Sequence, residues 1–139
     1  MLLNLVGLWW FGRMVENLFG TRQFLFIYFM SGIGSGAAEL TWSASIMSIG
    51  ASGAVLGVFG AAASAIFRLK NLLPAGIRKT ELSWMCGLAL AQVVLDQVIP
   101  KVAAFAHLGG LVSGVLLGLI LPVREKFMNE RSIEKEQAP

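Results

Sequence analysis

The stretch VAAFAHLGGLVSGVLLGLIL, residues 102–121, decides the class of this protein. It is apolar except for His107 and Ser113, and it contains no Asp, Glu, Lys or Arg. A helix of about 20 apolar residues is long enough to cross the hydrocarbon core of a bilayer. Gly110, Gly114 and Gly118 recur in it at every fourth position, a spacing that lets two membrane helices approach closely. We therefore expect a transmembrane helix with one glycine-lined face.

Four more apolar segments precede this one, at residues 1–11 with a helical continuation to Phe19, 23–40, 51–69 and 82–99. Thr21 is a candidate cap for the second of them. The chain of 139 residues is 56% hydrophobic and only 14% charged, whereas soluble domains carry about 25% charged residues. Continuous apolar runs favour helices over barrel strands, because backbone groups in lipid must be hydrogen-bonded within the segment. The sequence predicts an all-α membrane protein, a polytopic bundle with about five transmembrane helices.

The basic residues predict how these segments are oriented. All but Lys101 of the 11 lysines and arginines lie in the first and third connections or in residues 124–139. Cytoplasmic loops carry such an excess, so we expect a multi-pass protein with a charged cytoplasmic tail over 124–139, in a bacterial inner membrane. The basic residues are scattered, which disfavours nucleic acid as a partner. The single cysteine, Cys86, forms no internal disulfide, and no Cys/His cluster predicts a metal or cofactor.

Two polar residues stand out on the apolar segments. Ser52, in Gly50-Ala51-Ser52-Gly53, begins the third segment, where Gly53 and Gly57 repeat the close-packing spacing. His107 is the only histidine and shares a helical face with Gly110 and Gly114. Each has an ordinary interpretation: a serine bonded to its own helix, and a histidine in an interhelical hydrogen bond.

An ionisable side chain inside a membrane segment is nevertheless a functional hypothesis by default. Ser52 and His107 lie near the outer ends of their segments, and the glycines predict that these two segments touch. A serine hydroxyl becomes a nucleophile when a neighbouring base takes its proton, and a neutral imidazole is such a base. The sequence thus predicts a Ser-His pair with no acidic third member.

These motifs, Gly50-Ala51-Ser52-Gly53 followed by Ala106-His107-x-x-Gly110-x-x-x-Gly114, resemble the rhomboid family of intramembrane serine proteases. Trp9-Trp10-Phe11-Gly12-Arg13-x-Val15-Glu16-x-x-x-Gly20 is similar to the family's second transmembrane helix and the loop after it. The resemblance implies a transmembrane catalytic domain over 1–123, with Ser52 as nucleophile and His107 as general base. It also implies membrane-protein substrates, cleaved in their transmembrane helices, and contact with membrane lipids.

Asn4 matches the asparagine of the family's H-x-x-x-N motif, which implies that its amide stabilises the oxyanion together with the Ser52 backbone. The histidine of that motif would fall one residue before Met1, and the family's first helix and long first loop have no counterpart. We therefore expect the sequence to be truncated relative to the family core, with activity affected. Leu56 stands where an aromatic residue is often found in the family.

Two other functions compete with the protease. One is a catalytically impaired or non-catalytic rhomboid-like protein that binds membrane clients. The other is a small transporter or channel subunit, for which we would expect intramembrane charges along a path or an internal repeat.

The fourth segment, with Gln92 and Asp96 and no glycines at every fourth position, is the candidate gate through which a substrate of the protease would enter.

Overall fold

The computed structural model describes residues 2–42, 51–69, 71, 76, 79–85, 87–88, 91 and 104–125. Every regular element within these residues is helical. They are α1 (Leu2–Gly7), a π-helical turn (Leu8–Gly12), α2 (Arg13–Phe19), α3 (Thr21–Trp42), α4 (Ala51–Arg68) and α5 (Ala104–Ile120). The described residues of the fourth predicted segment, 82–85, 87–88 and 91, are helical, while Gln92 and Asp96 lie outside the described part of the chain.

The first predicted segment does continue helically to Phe19, because α1, the π-helical turn and α2 follow one another without a break. The π-helical turn was not predicted. The helix ends at Gly20, whose φ of 93° is a conformation that glycine adopts without steric cost. This turn brings the chain back as α3.

Thr21 does not cap α3, contrary to the sequence prediction. The carbonyl oxygen of Gly20 accepts the Phe24 N–H at 2.9 Å, so Thr21 already lies in the first helical turn. Its hydroxyl instead donates to the Glu16 carboxylate at 2.7 Å, which ties α3 to α2 across the turn.

α3 and α4 are long and apolar enough to cross a membrane, with 22 and 18 residues, and α5 is an apolar helix of 17 residues. Large apolar side chains cover the outside of the bundle, as expected for a surface that faces lipid rather than water. The described surface includes four tryptophans that are each more than half exposed: Trp9, Trp10, Trp42 and Trp84. Arg13 lies over the ring of Trp9, 5.5 Å from its centroid.

α4 is the central helix among the described elements. About two-thirds of it, 67%, is buried, against 28% of α3, because α3, α5 and the first helix all pack on it. Its residues include Gly53, Gly57 and Gly60 and a run of alanines, which let three neighbours approach at once.

The first helix runs parallel to α4. A side chain on Gly7 would meet Val55 Cγ1 at 3.1 Å, and one turn further along both helices Phe11 and Phe59 pack edge to face, with ring centroids 5.0 Å apart. Equal steps of four residues on both helices mean that they keep a constant register.

Polar contacts join the C-terminal ends of α4 and α5. Arg68, the last residue of α4, donates to the carbonyl oxygens of Gly118 and Leu121 at 2.7 and 2.8 Å. The Arg124 N–H donates to the Leu18 carbonyl at 2.8 Å. These contacts satisfy carbonyls that the end of a helix leaves without partners and fasten the chain after α5 to the first helix.

Candidate active site

The interface between α4 and α5 is formed by glycines in register. Gly110 meets Gly53, and four residues on Gly114 meets Gly57, in each case with backbone against backbone. One further step brings Gly118 to Ala61, whose Cα would lie 2.7 Å from a Cβ on residue 118. The two helices are therefore parallel, and they are in contact through their glycines. The glycine spacing predicted this contact.

This interface brings Ser52 and His107 together. The Ser52 Oγ lies 2.9 Å from the His107 Nε2, across 55 positions of sequence. His107 is buried, with 7% of the residue's surface exposed, and Ser52 is half-buried. In the tautomer that leaves Nε2 unprotonated, the serine hydroxyl donates to the imidazole, which is the arrangement needed for transfer of the hydroxyl proton.

Ser52 owes its position to the start of α4. It is the second residue of α4 as described, Ala51–Arg68. Backbone N–H groups of a helix point toward its N-terminus, so the Ser52 N–H points toward the N-terminal end of α4. A donor of this kind is suited to a negatively charged oxygen, because the helix dipole is positive there.

Asn4 lies at the level of Ser52. The parallel register between the first helix and α4 pairs Gly7 with Val55, and three residues back on each helix lie Asn4 and Ser52. Both helices rise about 1.5 Å per residue, so equal steps keep the two side chains at equal depth. Asn4 is half-buried at this position.

α3 contributes a row of polar side chains that the sequence analysis missed. Ser31, Ser35 and Glu39 are spaced four apart and are all buried, with exposures of 0%, 3% and 3%. Ser31 packs on Gly57 and Ser35 on Gly53. The signal in the sequence was the spacing itself, since three polar residues at every fourth position mark one helix face.

Glu39 makes the most specific of these contacts. Its carboxyl oxygen Oε2 accepts the backbone N–H of Ala106 at 3.2 Å, so α3 is bonded to α5 next to His107. Ser31 has the opposite character: its buried Oγ has no hydrogen-bond partner among the described residues. The described residues also include no group of three or more His, Cys, Asp or Glu side chains placed to hold a metal ion.

Comparison with known proteins gives a consistent set of relatives. The model of the family described as "Rhomboid domain" matches residues 1–124. "RHOMBOID-like protein 4" of Arabidopsis thaliana is 32% identical over 134 residues, which cover 95% of this chain and 33% of the relative. "Rhomboid-like protease 3" of Toxoplasma gondii is 30% identical over 117 residues, 84% of this chain and 44% of that protein. YdcA of Bacillus subtilis (strain 168) is 31% identical over 122 residues, 86% of this chain and 59% of that protein.

The chain thus spans between about a third and three-fifths of the length of these relatives. No solved structure matches it.

Proposed function

The chain belongs to the rhomboid family, and from this premise we propose that it is an intramembrane serine endopeptidase that cleaves transmembrane helices of membrane-protein substrates. Ser52 is the nucleophile and His107 the general base. The name of the Toxoplasma relative describes a protease, which supports the reaction class. The protein is integral to the membrane, as its family is.

One observation carries the proposal: the hydroxyl of Ser52 and the Nε2 of His107 lie 2.9 Å apart in a partly buried, glycine-packed interface. Serine hydroxyls in membrane helices normally bond to a carbonyl of their own helix, as Ser64 does with Ala61 on the same α4. The Ser52 hydroxyl lies within hydrogen-bond distance of the only imidazole of the chain. A base within hydrogen-bond reach of a hydroxyl is the signature of an activated nucleophile.

The reaction follows from this geometry. The Ser52 oxygen attacks the carbonyl carbon of a substrate peptide bond while His107 takes the hydroxyl proton. A tetrahedral intermediate forms with the negative charge on the former carbonyl oxygen. The imidazolium then donates its proton to the leaving amine nitrogen, the C–N bond breaks, and an ester on Ser52 remains. Water, deprotonated by the same imidazole, hydrolyses the ester and restores the serine.

The negatively charged oxygen of the intermediate must be stabilised by hydrogen-bond donors. We assign this task to the Ser52 backbone N–H, in the first turn of α4, and to the side-chain amide of Asn4 at the same depth. A single donor of this kind lowers the barrier by about 2.7–4 kcal/mol in well-studied hydrolases. In this proposal, close backbone contact between α4 and α5 holds the two reacting side chains together. The glycines that make this contact are Gly53, Gly57, Gly110 and Gly114.

The orientation is proposed from the positive-inside rule, with the tail over 124–139 in the cytoplasm and the Ser-His pair near the opposite face. The domain limits, 1–123 for the catalytic domain and 124–139 for the tail, are part of the same proposal. A bacterial inner membrane is not supported by relatives that are mostly plant proteins, and the type of membrane stays a prediction. The proposed gate over residues 82–99 lies largely outside the described residues.

The test combines covalent labelling with cleavage. The full chain, purified in detergent micelles and in liposomes, is treated with a fluorophosphonate probe and with a single-span membrane substrate. We expect the parent to be labelled and to cleave, and Ser52→Ala and His107→Ala to lose both activities. Ser64→Ala is the matched control, because it removes a serine hydroxyl from the same helix at a distance from the pair.

The outcomes separate the alternatives. Labelling that survives Ser52→Ala removes this serine as the nucleophile. A parent that is folded by circular dichroism, yet takes up no probe and cleaves nothing, favours the non-catalytic, client-binding protein. Flux of ions or solutes through the liposomes would favour the transporter.

A further inference from the structure

Glu39 is a buried carboxylic acid close to the Ser-His pair. It lies on the last turns of α3, and 3% of its surface is exposed. A carboxyl group is costly to bury without partners, and burial of an ionisable group within a membrane helix is costlier than that of an apolar residue. An apolar side chain would fill the same space at lower cost, so the carboxyl group calls for a role other than packing.

The hydrogen bond of Glu39 to α5 indicates what this role is. The Glu39 Oε2 accepts the N–H of Ala106 at 3.2 Å, and Ala106 is the third residue of α5, which begins at Ala104. The Glu39 carboxyl group therefore joins α3 to the backbone of α5 at the residue before His107.

Ala106 is held from its other side as well. Ala106 is 3% exposed, and its carbonyl oxygen faces α4, where a Cβ on Gly53 would lie 3.0 Å from it. The backbone of Ala106 is therefore fixed between Glu39 and Gly53. His107 is the next residue, and its orientation relative to Ser52 depends on this backbone.

We propose that Glu39 is a positioning residue: by accepting the Ala106 N–H it fixes the first turn of α5 and with it the imidazole of His107 against Ser52. The hydrogen-bond acceptor carries the effect, rather than the negative charge. The structural part of the proposal stands without any assumption about catalysis, and only its kinetic consequence rests on the proposed function.

The experiment uses the single histidine of the chain. Selective ¹³C,¹⁵N labelling of histidine gives one set of imidazole signals, from His107, in the full protein in detergent micelles. Glu39→Gln keeps an acceptor oxygen in a side chain of similar shape, and Glu39→Met removes the acceptor at similar length. Ser31→Ala is the control, because it removes a buried polar atom from the same face of α3 without touching Ala106.

We expect the imidazole signals of Glu39→Gln and of the control to match those of the parent, and those of Glu39→Met to shift and broaden. The fluorophosphonate labelling rate of Glu39→Met is expected to fall about tenfold or more, since misplacement of a catalytic group by about 1 Å can cost ~100-fold. Glu39→Gln should stay within about threefold of the parent, since its amide oxygen still accepts the bond.

Three results overturn the proposal: parent-like signals in Glu39→Met, signals altered equally in Glu39→Gln and Glu39→Met, or altered signals in the control. If Glu39→Met fails to fold, Glu39→Gln decides alone, since a shifted signal in that variant contradicts the acceptor role. A parent that takes up no probe removes the kinetic comparison and the proposed enzyme. The imidazole signals still test the positioning role in that case.

Discussion

Gly53 and Gly110 face each other so closely that no side chain fits between them: a Cβ on residue 110 would overlap the carbonyl group of Gly53. The obstacle is backbone rather than a flexible side chain, so it cannot move aside without separating α4 from α5. The 2.9 Å contact of Ser52 with His107 spans this same interface. A substitution that separates α4 from α5 should therefore also separate Ser52 from His107.

Gly110→Ala tests this coupling. We expect it to destabilise the protein by about 1–3 kcal/mol, the usual cost of overpacking a tight interface, and to abolish fluorophosphonate labelling because the two helices move apart. Thermal unfolding in detergent, followed by circular dichroism, measures the first effect.

Gly36→Ala is the matched control. Gly36 lies inside α3, and a Cβ there meets nothing within 4 Å. Alanine is favoured over glycine in a helix by about 0.5–1 kcal/mol, so the unfolding temperature should rise or stay constant. A similar loss of stability in both variants would show that the glycine contacts across the interface are not the cause.

Asn4→Ala tests the oxyanion assignment. Removal of one donor to the oxyanion typically lowers the rate about 10²–10³-fold, and we expect a loss of that order in substrate cleavage with little change in unfolding temperature. Asn17→Ala, an exposed asparagine on the same helix, should cleave at the parent rate. Equal rates in the parent and Asn4→Ala would remove Asn4 from the site.

Ser31→Ala should leave stability unchanged or raise it. The Ser31 hydroxyl is buried without a partner among the described residues, and an unsatisfied buried polar group costs about 1–3 kcal/mol. Denaturant unfolding in micelles measures the difference. A clear loss of stability would mean that the hydroxyl has a partner in the membrane-embedded protein, such as a bound water.

Gly20→Ala should weaken the turn between α2 and α3. With φ at 93°, the position favours glycine, and a non-glycine residue held in a sparsely populated region costs about 1–3 kcal/mol. The change lies far from the Ser-His pair, at the other end of the bundle. We therefore expect a lower unfolding temperature, with labelling retained below it.

Arg68→Met removes the contacts that close the end of α5. Hydrogen bonds to a charged group contribute about 1.5–3 kcal/mol, and because Arg68 is exposed we expect about 1 kcal/mol or less. The unfolding temperature should fall modestly. Arg22→Met, at an exposed arginine near the same end, should leave it unchanged, and equal effects would point to net charge as the cause.

The sequence predicted the parts of the fold that depend on hydropathy and on glycine spacing. The segments at 23–40, 51–69 and 102–121 correspond to α3, α4 and α5 within a few residues, because membrane helices must satisfy their backbone internally. The contact between α4 and α5 was also predicted, since glycines at every fourth position leave a groove that only another backbone fills.

The contribution of α3 was not predicted for a physical reason. Glu39 lies close to the end of its segment, where a charged side chain is ordinarily exposed to water, and nothing in the local pattern shows that it faces a neighbouring helix. The π-helical turn at Leu8–Gly12 escaped for a similar reason. Hydropathy does not distinguish a π-helical turn from an α-helical one.

The enclosed position of α4 has a mechanical consequence. The helix that carries Ser52 is held on several sides at once, so it is the part of the bundle least able to shift when another chain arrives. If the proposed function holds, we expect a substrate helix to be admitted by movement of the outer elements, while Ser52 keeps its position. Ser52 would thus be a fixed point of the proposed active site, and the substrate would be the part that moves.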